Sequence, residues 1–239
     1  NFSPASTLVC IEATKLVLAS VLHKREVAAN ARSGNGDGPT SLVDSFRRTA
    51  TLKLWAATTA IAMMYTANNL LTFFAVANMD PGKVAIAKAL VPYLTAMVLH
   101  ACFGRTLNGL KWACIVLQCV GTAVTQFRGE SALLLTPEMY AWLGLSICIT
   151  TTSSVYNEYI IKKFKAPLQQ INMIMYVIGV INAAVIYAAV PAYHEKAFFE
   201  GYTPMVGLLI LTMSFFGLCV GYAYKYADVL VKNLSTSGS

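Results

Sequence analysis

Lys88 lies in an otherwise apolar stretch, five residues after Lys83. A lysine in a hydrocarbon environment costs about 2.5–3.5 kcal/mol on insertion scales. Such a residue either snorkels to the interface or faces a cavity and takes an anion, which an ammonium group holds as a point charge. Lys225 opens a second charged run, KYADVLVKNLSTS, with Asp228 and Lys232 following inside a segment of apolar character. Glu12 and Lys15 are three residues apart. They share a helix face, so they form either an internal ion pair or part of a polar cavity wall. Tyr65, Asn68 and Asn69 stand at i, i+3 and i+4. An amide-rich face can glue two membrane helices together, and a tyrosine beside two amides can also stack on and hydrogen-bond a nucleobase. Tyr156 and Glu158 belong to the polar run TTTSSVYNEY, and Asn172 follows Gln169 and Gln170. Gly217 and Gly221 give the GxxxG spacing of close helix packing.

This inventory favours reversible binding over bond making. A membrane enzyme needs a nucleophile, or an acid and base at one depth, whereas Glu12 and Glu158 fall in different segments with no histidine partner. His23, His100 and His194 are scattered, and the six cysteines (Cys10, Cys102, Cys114, Cys119, Cys148 and Cys219) form no CxxC pair. The cysteines read as small buried hydrophobes, so no catalytic residue, metal site or cofactor is expected.

The elements that carry these residues are membrane helices. Of 239 residues, 56% are hydrophobic and 12% charged, with mean hydropathy +0.58, whereas soluble domains carry about 25% charged residues. Seven apolar stretches are long enough to cross a core of about 30 Å: 5–22, 54–78, 84–103, 112–127, 139–161, 169–192 and 204–224. An eighth begins after Tyr226. The runs are unbroken, without the alternation of a membrane barrel, so the fold class is all-α, a polytopic membrane helical bundle forming one domain over 1–239.

Loop charges orient the bundle. Loops 23–53, 104–111 and 162–168 hold Lys24, Arg25, Arg32, Arg47, Arg48, Lys53, Arg105, Lys111, Lys162, Lys163 and Lys165; the opposite loops hold Lys83, Arg128 and Lys196. The positive-inside rule makes the first set cytosolic, including a flexible loop at about 24–52 with its SGNGDGPTS centre. This rule also absorbs most of the +7 net charge. No soluble basic face is left for nucleic acid; the surroundings are membrane lipid.

The ordered set of motifs resembles the nucleotide-sugar transporters of the drug/metabolite transporter superfamily, closest to the CMP-sialic acid and UDP-galactose branch. Glu12-x-x-Lys15-Leu16 resembles the family's E-x-x-K-L, and Tyr65-x-x-Asn68-Asn69-Leu70 its Y-x-x-N-N-L. Lys88 followed by Thr95-Ala96 resembles its Q-L-K segment and the T-A after it, and Val155-Tyr156-x-Glu158 with Lys162 its V-Y-x-E-K. Asn172, Gly201-Tyr202-Thr203 and Lys225-Tyr226-Ala227-Asp228 complete the series. The chain departs from the pattern at Ile86, where the family has glutamine, and at Val229, where it has asparagine.

The resemblance implies a ten-helix inverted-repeat transporter, of which this chain would be a fragment lacking the first and last helices. It also implies antiport across the Golgi membrane, with that of the endoplasmic reticulum as the alternative. A cytosolic CMP- or UDP-sugar would exchange for lumenal nucleoside monophosphate by alternating access. On that reading Lys88 and Lys225 take phosphate, Tyr65, Asn68 and Asn69 contact the nucleotide with help from Asn172, Glu12 and Lys15 line or brace the sugar region, and Tyr156 and Glu158 serve gating. A homodimer stays open. The alternatives are another carrier of the superfamily that moves phosphorylated metabolites, or a seven-span receptor. The receptor fits poorly with intramembrane lysines and an eighth span. The topology is testable: cysteines placed in the 30–45 loop should label only from the cytosolic side of sealed vesicles, and lumenal labelling would overturn the orientation.

Overall fold

The computed structural model describes residues 2–32, 43, 46–47, 51–104, 108–126, 136–164, 166–194 and 197–226. Nine helices with defined bounds form in that set: α1 (Pro4–Arg32), α2 (Leu52–Asn78), α3 (Pro81–Lys88), α4 (Val91–Phe103), α5 (Gly109–Gln126), α6 (Pro137–Lys163), α7 (Leu168–Ala189), α8 (Pro191–His194) and α9 (Pro204–Tyr226). No strand occurs among the described residues. Prolines set most of the helix starts. Pro4, Pro81, Pro137, Pro191 and Pro204 are first residues, Pro92 is the second residue of α4, and Pro167 directly precedes α7. The first turn of a helix tolerates the missing N–H, because that group has no intrahelical partner there.

All seven apolar stretches read from the sequence fall on helices. Five spans are long and apolar enough to cross a membrane: Pro4–Ala29, Leu52–Asn78, Pro81–Cys102, Leu168–Ala189 and Pro204–Tyr226. The protein is therefore a multi-pass membrane protein. Helix α5 is apolar but shorter, and α6 carries the polar run from Thr150 to Tyr159. The expected eighth span, with Asp228 and Lys232, lies outside the described residues, as does much of the loop expected at 24–52; its first residues, 24–32, are not loop but the end of α1.

The third stretch, expected as one helix, is broken. Helix α3 stops at Lys88, and α4 begins at Val91. Pro92 has no N–H to give the carbonyl of Lys88, four residues back, and its ring clashes with that carbonyl. The chain instead tightens, with Leu90 N donating to Ala87 O (3.2 Å). The carbonyl of Ala89 accepts from Cys119 Sγ of α5 at 3.2 Å. Upstream, Asp80 caps α3 by accepting from Gly82 N at 2.8 Å. Downstream, Gly104 closes α4 at φ 60°, the left-handed conformation that glycine adopts without strain.

The chain divides into two compact units, Asn1–Thr66 with Tyr159–Lys225, and Ala67–Glu158 with Tyr226–Ser239. In the first, α1 lies along α7. Ala5, Leu8 and Ile11 of α1, Ile171 and Ile174 of α7, and Leu218 of α9 are buried. The segment before α9 is pinned to the start of α1. Tyr202 Oη lies 3.2 Å from Ser6 Oγ and donates to Thr7 Oγ1 at 3.3 Å, and burial pushes this phenol above its ordinary pKa. In the second unit, Ala75, Met79, Val84 and Leu143 form a buried cluster, with Ala87 and Met139 packed against it.

Candidate functional site

Each unit contains a polar cluster within its spans, and the two clusters differ in charge balance. In the first unit, Lys15 Nζ lies 2.8 Å from Glu12 Oε1, with both side chains largely buried. The same ammonium stands 5.6 Å from the centroid of the Tyr176 ring, within reach of its negative face. The pair is thus compensated on the spot.

Glycines make room for these polar groups. A Cβ at Gly179 would stand 2.9 Å from Glu12 Oε2, one at Gly217 2.7 Å from Lys15 Cε, and one at Gly221 3.0 Å from Asn172 Nδ2. The sequence expectation for Gly217 and Gly221 was close helix packing. The structure shows why closeness is needed here: α9 must accept a lysine stem and an amide from its neighbours. Asn172 is buried and donates to Gln169 Oε1 at 3.5 Å, while Gln169 Nε2 donates to Tyr222 Oη at 2.8 Å. Tyr65, half-buried on α2, belongs to this unit. Lys225 is exposed in the last turn of α9, where a cation also suits the negative end of the helix.

The second unit holds Asn68, Asn69, Lys88, Tyr156 and Glu158. Two of these are joined by a residue that the sequence reading passed over. Lys88 Nζ donates to Thr72 Oγ1 at 3.0 Å, and Thr72 is four residues beyond Asn68 on α2, hence on the same face. Asn68 Oδ1 in turn accepts from Ser146 Oγ at 3.1 Å and Thr150 Oγ1 at 2.8 Å on α6. The result is a polar strip running Ser146/Thr150, Asn68, Thr72, Lys88. Lys88 is half-buried, and among the described residues no carboxylate comes within 4.0 Å of it. It is the last residue of α3, so the negative end of that helix and one hydroxyl are the groups placed beside the ammonium.

Asn69 follows Asn68 on α2 and is half-buried. Tyr156 is half-buried and Glu158 is 3% exposed on α6. Spaced by two, they point to different faces. Thr72 and Ser146 were discoverable, since each extends an i, i+4 row from a residue already singled out (Asn68 and Thr150). Tyr176 likewise stands four residues after Asn172. The six cysteines are free thiols, and no cluster of metal-ligating side chains occurs among the described residues.

The glycine notches give a testable consequence. Gly217→Ala would push the Lys15 stem away from Glu12, and overpacking of this kind costs about 1–3 kcal/mol. On the same helix, Gly207 has nothing within 4 Å of an added Cβ, so Gly207→Ala should be neutral or stabilising by up to about 1 kcal/mol. Thermal unfolding of the two variants in detergent reads the difference; equal shifts would mean that Lys15 does not need the notch.

Comparison with known proteins agrees with this architecture. The sequence model of the nucleotide-sugar transporter family matches residues 1–239. "CMP-sialic acid transporter 1" of Oryza sativa subsp. indica is 30% identical over 189 residues, covering 74% of this chain and 59% of that protein. "CMP-sialic acid transporter 4" of Arabidopsis thaliana is 33% identical over 183 residues, covering 74% of this chain and 51% of that protein. "UDP-galactose translocator 1" of Caenorhabditis elegans is 26% identical over 250 residues, covering 100% of this chain and 68% of that protein. The chain thus spans about half to two-thirds of the length of these relatives. It belongs to the nucleotide-sugar transporter family.

Proposed function

We propose that this member of the nucleotide-sugar transporter family carries a CMP- or UDP-sugar across the Golgi membrane in exchange for the corresponding nucleoside monophosphate, and that Lys88 takes a phosphate of the cargo. The observation that carries the reading is the contrast between two lysines. Lys15 has a carboxylate at 2.8 Å, whereas Lys88 has only the Thr72 hydroxyl among the described groups. A charge placed in a span without a counter-ion is costly, and such residues mark substrate or ion pathways. The phosphate of a nucleotide would be the missing counter-ion.

The other assignments follow the chemistry of the groups. Asn68 and Asn69 offer amides to the nucleotide, and Tyr65 offers an aromatic face to its base. Asn172, which donates to Gln169, is a further amide for the nucleotide. Lys225, exposed at the end of α9, is a second cation for phosphate. Glu12 and Lys15 neutralise each other and brace the first unit. Tyr156 and Glu158 serve gating. The relatives' printed names, CMP-sialic acid transporter and UDP-galactose translocator, favour a pyrimidine nucleotide. Exchange means that the carrier reorients with its site loaded in both directions, which suits a site whose lysine has no carboxylate of its own among the described residues.

The experiment is counterflow with Lys88→Gln as the control. Liposomes holding purified full-length protein and preloaded with CMP or UMP should take up the matching labelled nucleotide sugar faster than empty ones. Hydrogen bonds to charged groups contribute about 1.5–3 kcal/mol. At about 1.4 kcal/mol per tenfold, Lys88→Gln should weaken CMP or UMP binding about ten- to a hundredfold while the protein stays folded. Equal uptake with and without internal nucleotide would contradict exchange, and wild-type affinity in folded Lys88→Gln would contradict the phosphate role.

A further inference from the structure

Helix α2 contains four threonines, and three of them behave as isolated threonines in a membrane helix do. Thr58, Thr59 and Thr66 each return their hydroxyl to the carbonyl four residues back, Leu54 O at 2.8 Å, Trp55 O at 2.8 Å and Ala62 O at 2.9 Å. That back-bond is the local way to satisfy a hydroxyl in an apolar setting. Thr72 makes no such bond among the described residues. Its oxygen is turned toward Lys88 and accepts from Nζ at 3.0 Å. A hydroxyl carries one proton and two lone pairs, so an oxygen committed to an ammonium leaves its proton to point away from that charge.

The next group on the same face has a matching polarity. The carbonyl oxygen of Asn68 accepts from Ser146 Oγ at 3.1 Å and lies 2.8 Å from Thr150 Oγ1, whose single proton it shares with Ser146 O at 2.7 Å, so the oxygen end of the amide is the one engaged by α6. The amide nitrogen is thereby the end that Asn68 keeps for other partners. Asn68 is half-buried, and its Nδ2 makes no bond among the described residues. Along one face of α2, a turn apart, stand an amide N–H pair, a hydroxyl proton and the two ammonium hydrogens that Lys88 does not give to Thr72. All are donors, and all are held by bonds on their far side. Such an array suits an acceptor-only group bearing negative charge and disfavours a hydroxyl-rich or amine-bearing one.

We infer that Thr72 is a phosphate-site residue: its hydroxyl fixes the Lys88 ammonium and donates its own proton to the same phosphate, completing a donor-only strip with Asn68 Nδ2. The inference rests on the proposed nucleotide cargo and names the part of the cargo that this strip reads. Ser146 and Thr150 are positioning residues, acting through the Asn68 amide.

The test separates phosphate recognition from general packing by comparing a nucleotide with its nucleoside. Binding of CMP against cytidine, and UMP against uridine, is measured by competition with labelled nucleotide sugar on purified full-length wild type, Thr72→Val, Thr72→Ser and Lys88→Gln. Thr72→Val keeps the shape and removes the hydroxyl. It should weaken nucleotide binding about tenfold, the effect of losing one charge-assisted hydrogen bond, and leave nucleoside binding unchanged. Thr72→Ser should restore the nucleotide preference. An unchanged nucleotide preference in Thr72→Val would overturn the role of Thr72, as would an equal loss for nucleotide and nucleoside. Failure of Lys88→Gln to reduce the preference would instead sink the underlying phosphate reading, so the two failures are distinguishable.

Discussion

A positive charge inside a membrane span is costly without a negative partner, and two lysines of this protein differ in that respect. Lys15 carries its partner on its own helix, one turn away, with an aromatic face above and a glycine notch beside it. The arrangement is self-sufficient, which is why α1, α7 and α9 can pack around it as a fixed body. Lys88 has no such partner among the described residues. On the proposed reading, the place that a carboxylate would take there is left for a phosphate that comes and goes. A permanent counter-ion at Lys88 would make a more stable protein and a poorer binding site.

The local backbone is arranged to tolerate that open position. Pro92 breaks the span just beyond Lys88, so the ammonium sits at the negative end of α3 instead of mid-helix. Thr72 gives up the back-bond that its three neighbours on α2 make and turns to the lysine. Ser146 and Thr150 hold the Asn68 amide from the opposite side. One proline and one threonine thus place an ammonium at a helix end beside a hydroxyl within an apolar span. In secondary transporters, discontinuous helices at membrane depth use their backbone ends to hold ions and anionic substrates.

Much of this was readable before any coordinates. Unbroken apolar runs announced the spans, because hydrophobicity acts through a local rule; the prolines that open most of the helices act as locally but went unread. The i, i+3 spacing put Glu12 and Lys15 together, and that pair forms. Other features depend on neighbours distant in sequence. The reason for Gly217 and Gly221 is a lysine from α1 and an asparagine from α7, so GxxxG alone suggested only closeness. Thr72 was passed over because threonines in membrane helices usually satisfy themselves, and only Lys88, sixteen residues on, reveals that this one does not. The break at 89–90 was hidden in plain view at Pro92, masked by the continuity of the apolar run.

The most direct measurement is an experimental structure of the full-length protein with bound CMP or UMP. The account predicts a phosphate oxygen at hydrogen-bond distance, about 2.7–3.2 Å, from Lys88 Nζ, with the Lys15–Glu12 pair intact. A phosphate held by Lys15 with Glu12 displaced, or one that leaves Lys88 without an anion, would contradict it.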